Sequence, residues 1–279
     1  MHSNHSSPFP SIPQDTARAV ADSFDEENFY IKIGSSLEII LQDLNSLAFE
    51  RPLRQSSIPA YVYSLVTIFQ YQERLTDEEM AEAVRDRPEV RFGLRLSMRH
   101  PNISASNLCQ YRQLLFENPT ASEACEKISE RVMGFAEQNV NGSSKYSVPE
   151  AICLNNRTNK IVTSMLETLG TLAAVHPNWM RKVVPAYWYE RYNRSFSRFV
   201  KEVLEKGTQE MIMEIGNDMK YVLDLAKQEQ QIANLIEVKN LTQVLHENFE
   251  FSQISAQLEW KPILCTFCSR RTLQKLEVK

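Results

Sequence analysis

Apolar residues along this chain recur mostly at three- and four-residue intervals, the spacing that lines one face of a helix. Between Ala60 and Tyr71, residues Val62, Leu65, Val66 and Phe69 follow that spacing and predict one buried stripe. Thr76-Asp77-Glu78-Glu79 reads as a capping box, in which the hydroxyl accepts from the Glu79 N–H and the Glu79 carboxylate reaches back. It opens a helix expected to run to about Arg87, where Pro88 prevents continuation. A second box, Thr120-Ala121-Ser122-Glu123, follows Pro119 and predicts a helix carrying Ile128, Val132 and Phe135. Ile161, Met165, Leu169 and Leu172, flanked by Val162, Leu166 and Ala173, predict another that ends near Pro177. Further helices are expected at 193–205, 208–229 and 234–247. No run alternates long enough to predict a strand, so the fold class is all-α.

The loop signal is strongest from Asn139 to Pro149, around Asn141-Gly142-Ser143-Ser144. The expected organisation is a disordered start over 1–13, a helical domain over 14–140, a connecting segment over 141–155, a helical region over 156–250 and a tail over 251–279. A chain of 279 residues is long enough for one large core or two modest ones. Its 43% hydrophobic and 24% charged content excludes a disordered or fibrous protein. Only 7 glycines are present, about a third of the usual ~7% share, which argues against a Gly-rich phosphate cradle. Five cysteines without regular spacing suit a reducing cytosol, so the expected location is cytoplasmic. Ala60–Tyr71, the longest apolar stretch, falls short of the ~18 residues of a membrane span, and the start has no apolar signal core.

Chemistry is sparse. Cys265-Thr266-Phe267-Cys268 has the spacing of half a zinc site, but no second ligand pair follows it. His2 and His5 flank the start, while His100, His176 and His246 fall near expected helix ends. Gly142-Ser143-Ser144-Lys145 lacks P-loop spacing. No cofactor and no metal site is expected from the residues.

The basic residues change the picture locally. The net charge is −4, yet six arginines between Arg85 and Arg112 face only Asp86 and Glu89. Arg91, Arg95 and Arg99 lie at i, i+4 and i+8, one face of a helix, before a turn at Pro101-Asn102 and a second helix opened by Ser104 or Ser106. That is a helix-turn-helix-like pattern whose arginines could meet phosphates or base edges. A solvated face paired with Asp86 and Glu89 explains the same spacing. A second window, Arg181 to Lys206, joins seven basic residues (Arg181, Lys182, Arg191, Arg194, Arg198, Lys201 and Lys206) to Trp179, Tyr187, Trp188, Tyr189 and Tyr192. Aromatics this dense serve a core as readily as a nucleic acid.

Three stretches carry a family resemblance: Ile12-Pro13-Gln14-Asp15-Thr16-Ala17-Arg18, IPAYVYSLVTIFQYQERLTDEEMAEAVRDRPEVRFGLRL (58–96) and SASNLCQYRQLL (104–115). The middle one carries Gln70, Glu73, Leu75, Thr76, Asp77, Ala83, Val84 and Arg85, and the last carries Ser106, Leu108, Tyr111, Arg112 and Leu115. Together they resemble the InsH-like amino-terminal domain of bacterial insertion-sequence transposases of the DDE type. Fainter similarity runs through Arg157–Ala173, Pro177-Asn178-Trp179-Met180-Arg181, Tyr187–Tyr192 and Val238-Lys239-Asn240-Leu241. The resemblance implies recognition of double-stranded DNA at element ends. Arg85, Arg91, Arg95, Arg99, Ser106, Asn107, Gln110 and Arg112 are the candidate DNA contacts, chosen by spacing.

The departures from the family matter as much. Its first catalytic Asp aligns with Ser144, and nothing resembles the rest of the carboxylate core. The family would use Mg²⁺, held by carboxylates ~3.5–4 Å from a second ion, and a neutral serine hydroxyl is a weak substitute. Glu150 lies nearby but has no role in that register. The expectation is therefore a truncated, non-catalytic, transposase-derived DNA-binding protein, nucleoid-associated when bound. Two readings stay open beside it: an interaction remnant that pairs with itself or with a full-length transposase, and a fragment without a function.

Overall fold

The computed structural model describes residues 10–44, 53, 57–100, 102–135, 146–192, 209–252 and 257–261. Among them the chain is all-α, with fourteen helices and two short strands. It forms two compact units, 1–152 and 153–279. Residues 1–9 of the start expected over 1–13, the loop around Asn139–Lys145, the 193–205 helix and Cys265–Cys268 lie outside the described residues.

In the first unit, α1 (Gln14–Ala21), α2 (Phe29–Ser35) and α3 (Leu37–Ile40) precede α4 (Ala60–Glu73), the central helix. The expected single stripe on α4 is too narrow. Every residue from Tyr61 to Gln70 is buried, so α4 is enclosed on all sides, as an all-round apolar helix requires. Its polar side chains are satisfied internally. The Thr67 hydroxyl donates to the Tyr63 carbonyl at 2.8 Å, and Ser64 shares a 2.6 Å hydrogen bond with the Tyr111 hydroxyl.

The capping box at Thr76 forms, with Glu79 N–H donating to the hydroxyl at 3.2 Å and Thr76 N–H donating to the Glu79 carboxylate at 2.7 Å. It opens α5 (Asp77–Asp86). Pro88 then stops one helix and starts the next: with Arg87 extended, it is the first residue of α6 (Pro88–Gly93). After α7 (Ala105–Glu117), the box expected at Thr120 is not used. Asn118 caps α8 (Pro119–Met133) instead, accepting from the Thr120 and Ala121 N–H groups. Pro119 has no N–H to satisfy and a preset φ, so the helix begins one residue before Thr120. Val62, Leu65, Val66, Phe69, Val84, Leu94, Ile128 and Val132 share one core.

The segment expected to connect at 141–155 is helical from Val148, the first residue of α9 (Val148–Val175), a helix expected from Arg157. In the second unit α10 (Pro177–Val183), α11 (Tyr187–Tyr192), α12 (Gln209–Ala226), α13 (Gln230–Ala233) and α14 (Ile236–Asn248) follow. Ile161, Val162, Met165, Leu169 and Leu172 of α9 share a core with Trp188, Met219, Val222 and Leu241. The unexpected strands, β1 (Phe249–Phe251) and β2 (Leu258–Trp260), pair antiparallel across the boundary expected between the helical region and the tail. Three residues each are too few to show alternation. Arg157 ties them down, lying 4.4 Å over the Trp260 ring and donating to the Asn248 side chain at 2.7 Å.

Candidate nucleic-acid interface

The helix expected to align Arg91, Arg95 and Arg99 does not exist. α6 stops at Gly93, and Arg95 adopts the left-handed conformation at φ 51°. Leu96 N–H donates to the Arg91 carbonyl at 2.9 Å and Arg95 N–H to the Phe92 carbonyl at 3.0 Å, the two bonds of a Schellman stop. Glycine normally occupies that left-handed position. Here an arginine does, so no residue type announces the stop.

Arg95 is held there by what its side chain reaches. Its guanidinium donates to the Gly34 carbonyl at 2.9 Å, to the Pro10 carbonyl at 3.0 Å, and to both Glu38 oxygens at 2.6 and 2.7 Å. The bonds from Arg95 hold the Glu38 carboxyl below its ordinary pKa. The site depends on close approach of α2: a Cβ at Gly34 would sit 2.5 Å from the Phe92 carbonyl oxygen.

Arg91 is 2% exposed. It donates to the carbonyls of Ser97 at 2.7 Å and His100 at 3.2 Å and to the Asn102 side chain at 2.8 Å. It thereby braces the 94–100 turn from inside. Burial draws its pKa down from the usual arginine value, against attraction from Asp15 and Asp86. Arg112, at 1% exposed, faces inward too. It pairs with Asp77, donating to one carboxylate oxygen at 2.7 Å, while Gln70 donates to that same oxygen at 2.7 Å. Three of the candidate DNA contacts are therefore internal braces. A buried arginine needs carbonyls or carboxylates around it, and each of these has found them.

The remaining candidates reach solvent. Arg99 is exposed and makes no ion pair among the described residues. Arg85 is exposed and forks onto Asp86 with two 2.8 Å bonds. Ser106 and Gln110 lie on the open face of α7, linked by a 3.3 Å hydrogen bond. Asn107 is partly committed: it closes a capping box with Ser104, whose N–H and hydroxyl both donate to the Asn107 oxygen. Among the described residues, the candidates left at the surface are therefore Arg85, Arg99 in the 94–100 turn, and Ser106, Asn107 and Gln110 in the first turns of α7.

Asp15 belongs to this site, and spacing gave no sign of it. One carboxylate oxygen accepts from the Ser97 hydroxyl at 2.6 Å and from the Met98 N–H at 3.1 Å. Thr16 beside it donates its hydroxyl to the Leu96 carbonyl at 2.7 Å. The bond from Ser97 keeps the Asp15 carboxyl below the ordinary carboxylate value. An acid in a helix's first turn reads as a partner for the helix dipole, which hides a contact more than eighty residues away.

In the second window the aromatics divide. Trp188 is buried in the core, whereas Tyr187 and Tyr189 are exposed. Arg191 is held by Asp218 at 2.5 Å and lies 5.5 Å from the Tyr187 ring centre. Arg194, Arg198, Lys201 and Lys206 lie outside the described residues, as does Ser144. Among the described residues no three His, Cys, Asp or Glu side chains gather as a metal site, and no helix is long and apolar enough to cross a membrane.

Residues 18–114 match the family model described as a transposase domain, DUF772. The match runs from within α1 to within α7 and takes in Gln70, Glu73, Asp77 and Arg112. No curated protein and no solved structure matches the chain. Over that stretch the chain is similar to a transposase domain.

Proposed function

We propose that the first unit binds double-stranded DNA, as the part of an insertion-sequence transposase that recognises element ends. The observation that carries this reading is the transposase-domain match falling on the unit whose surface presents Arg99 and the open face of α7. Arg85, Arg99, Ser106, Asn107 and Gln110 are the contacts; Arg91, Arg95 and Arg112 hold the surface in place from beneath. Two arginines on phosphates give a log–log dependence of affinity on salt with slope near −2, since each contributes about −0.9. The test is a salt titration of the full chain against a mixed-sequence duplex, followed by selection from a randomised duplex pool. A slope near zero, or no enriched sequence, overturns the reading.

On the family register Ser144 replaces the first catalytic aspartate, so in this reading the 279-residue chain does not cut DNA. Supercoiled plasmid should stay uncut with Mg²⁺ or Mn²⁺. Metal-dependent nicking by the purified chain would reverse that.

A second reading is favoured by the burial of Arg91, Arg95 and Arg112, which removes half of the six local arginines from the surface. In it the unit pairs with a second copy or with a full-length transposase and regulates transposition. Salt-insensitive self-association in sedimentation, without duplex binding, would select it.

A further inference from the structure

We infer that Asp15 is a positioning residue for DNA contact by Arg99, acting through Ser97; the inference rests on the DNA-binding reading above. Arg99 makes no ion pair among the described residues, so where its guanidinium points depends on its backbone. That backbone is tied down by a relay. The Arg99 N–H donates to the Ser97 hydroxyl at 3.1 Å, and that hydroxyl donates to Asp15 at 2.6 Å. The same carboxylate oxygen takes the Met98 N–H at 3.1 Å. Two further bonds bring the same amino-terminal segment onto the turn: Thr16 to the Leu96 carbonyl at 2.7 Å, and Arg95 to the Pro10 carbonyl at 3.0 Å. Residues 10–16 therefore lie across 95–98 as a strap. Arg91 braces the turn's other side through Ser97, His100 and Asn102.

The physical role follows from preorganisation. A turn that leaves a helix through a left-handed arginine would pay ordering entropy each time Arg99 engaged a phosphate. The strap settles that cost in the folded chain. An immobilised side chain and its turn are worth about 0.5–1.5 kcal/mol, or roughly two- to tenfold in affinity. The inference also runs against simple charge. Asp15 is acidic, and removing an acid near a DNA surface should by long-range electrostatics tighten binding. Positioning demands the opposite sign.

The test measures binding of the full chain to a short fluorescent duplex of mixed sequence across several salt concentrations. The parent is compared with D15A, D15N, S97A, R99A and the D15A/R99A pair, and amide exchange is followed at Met98 and Arg99. Positioning is supported if D15A and S97A each weaken binding about two- to tenfold, and if D15A has no further effect once Arg99 is gone. D15N, which keeps one acceptor oxygen, should recover part of the loss, and both amides should exchange faster in D15A. D15A binding as tightly as the parent or tighter, while R99A binds weakly, overturns the positioning role alone. R99A binding like the parent overturns the DNA reading, and this inference with it. Should D15A fail to fold, S97A decides, because it cuts the relay and leaves the Met98 and Thr16 bonds in place.

Discussion

Arg112 and Asp77, 35 residues apart in sequence, form a buried ion pair that joins α7 to the start of α5. Gln70 completes it from the end of α4, its side-chain amide donating to Asp77. Three residues that carry the family resemblance thus converge at one interior point, where they fasten three helices together. Their spacing reflects the architecture of the domain.

Removing either charge should be costly. Arg112→Ala or Asp77→Ala leaves an uncompensated charge in the interior, with an expected loss of about 3–5 kcal/mol. Replacing both at once, Asp77→Leu with Arg112→Met, should cost less than either single change. Denaturant titration of the three variants checks the order. A double variant less stable than both singles would show that the pair is not what joins these helices.

Phe69 tests the core. It is fully buried in α4, with its ring edge-on to Tyr30 at 4.8 Å and to Phe29 at 5.8 Å. Phe69→Ala should cost about 3–5 kcal/mol. A measured loss under about 1 kcal/mol would mean that α4 is not enclosed.

The arginines should divide by burial. Arg91→Ala and Arg95→Ala strip partners from turn carbonyls and from Glu38, and should destabilise the first unit. Arg85→Ala and Arg99→Ala should leave stability within about 0.5 kcal/mol, as surface changes do. In the DNA reading only the second pair lowers duplex affinity without loss of fold. Unfolding midpoints measured beside binding curves separate the two effects, and a destabilising Arg99→Ala would misplace the surface.

Acid should loosen the first unit at its strap. Asp15 and Glu38 both have native pKa values below their ordinary ones. A carboxyl depressed by folding stabilises the native state above its unfolded pKa and loses that contribution as pH falls through the native value. With unfolded values near 4, the loss should begin below about pH 4. Asp15→Asn and Glu38→Gln variants should show a flatter pH dependence there, measured by denaturant titration at several pH values.

Local sequence was enough for the elements whose causes are local. The Thr76 box needs only a hydroxyl and a carboxylate three residues apart, and Pro177 halts α9 through its own ring, wherever the rest of the chain lies. The all-α class follows likewise from apolar periodicity. Burial of polar residues is different, because it depends on which helices meet. Arg91, Arg95 and Arg99 have the periodicity of a helical face, and no nearby residue reveals that Arg95 turns left-handed. Glu38, Gly34 and Pro10 make that conformation hold, and all three arrive from about sixty to eighty-five residues away. Asp15 is equally opaque: next to Thr16 it is an ordinary first-turn acid, and only folding brings Ser97 and Met98 to it. Helix starts and stops answer to hydrogen bonds within a few residues. Whether an arginine faces solvent or the interior is decided by partners that only the packed chain supplies.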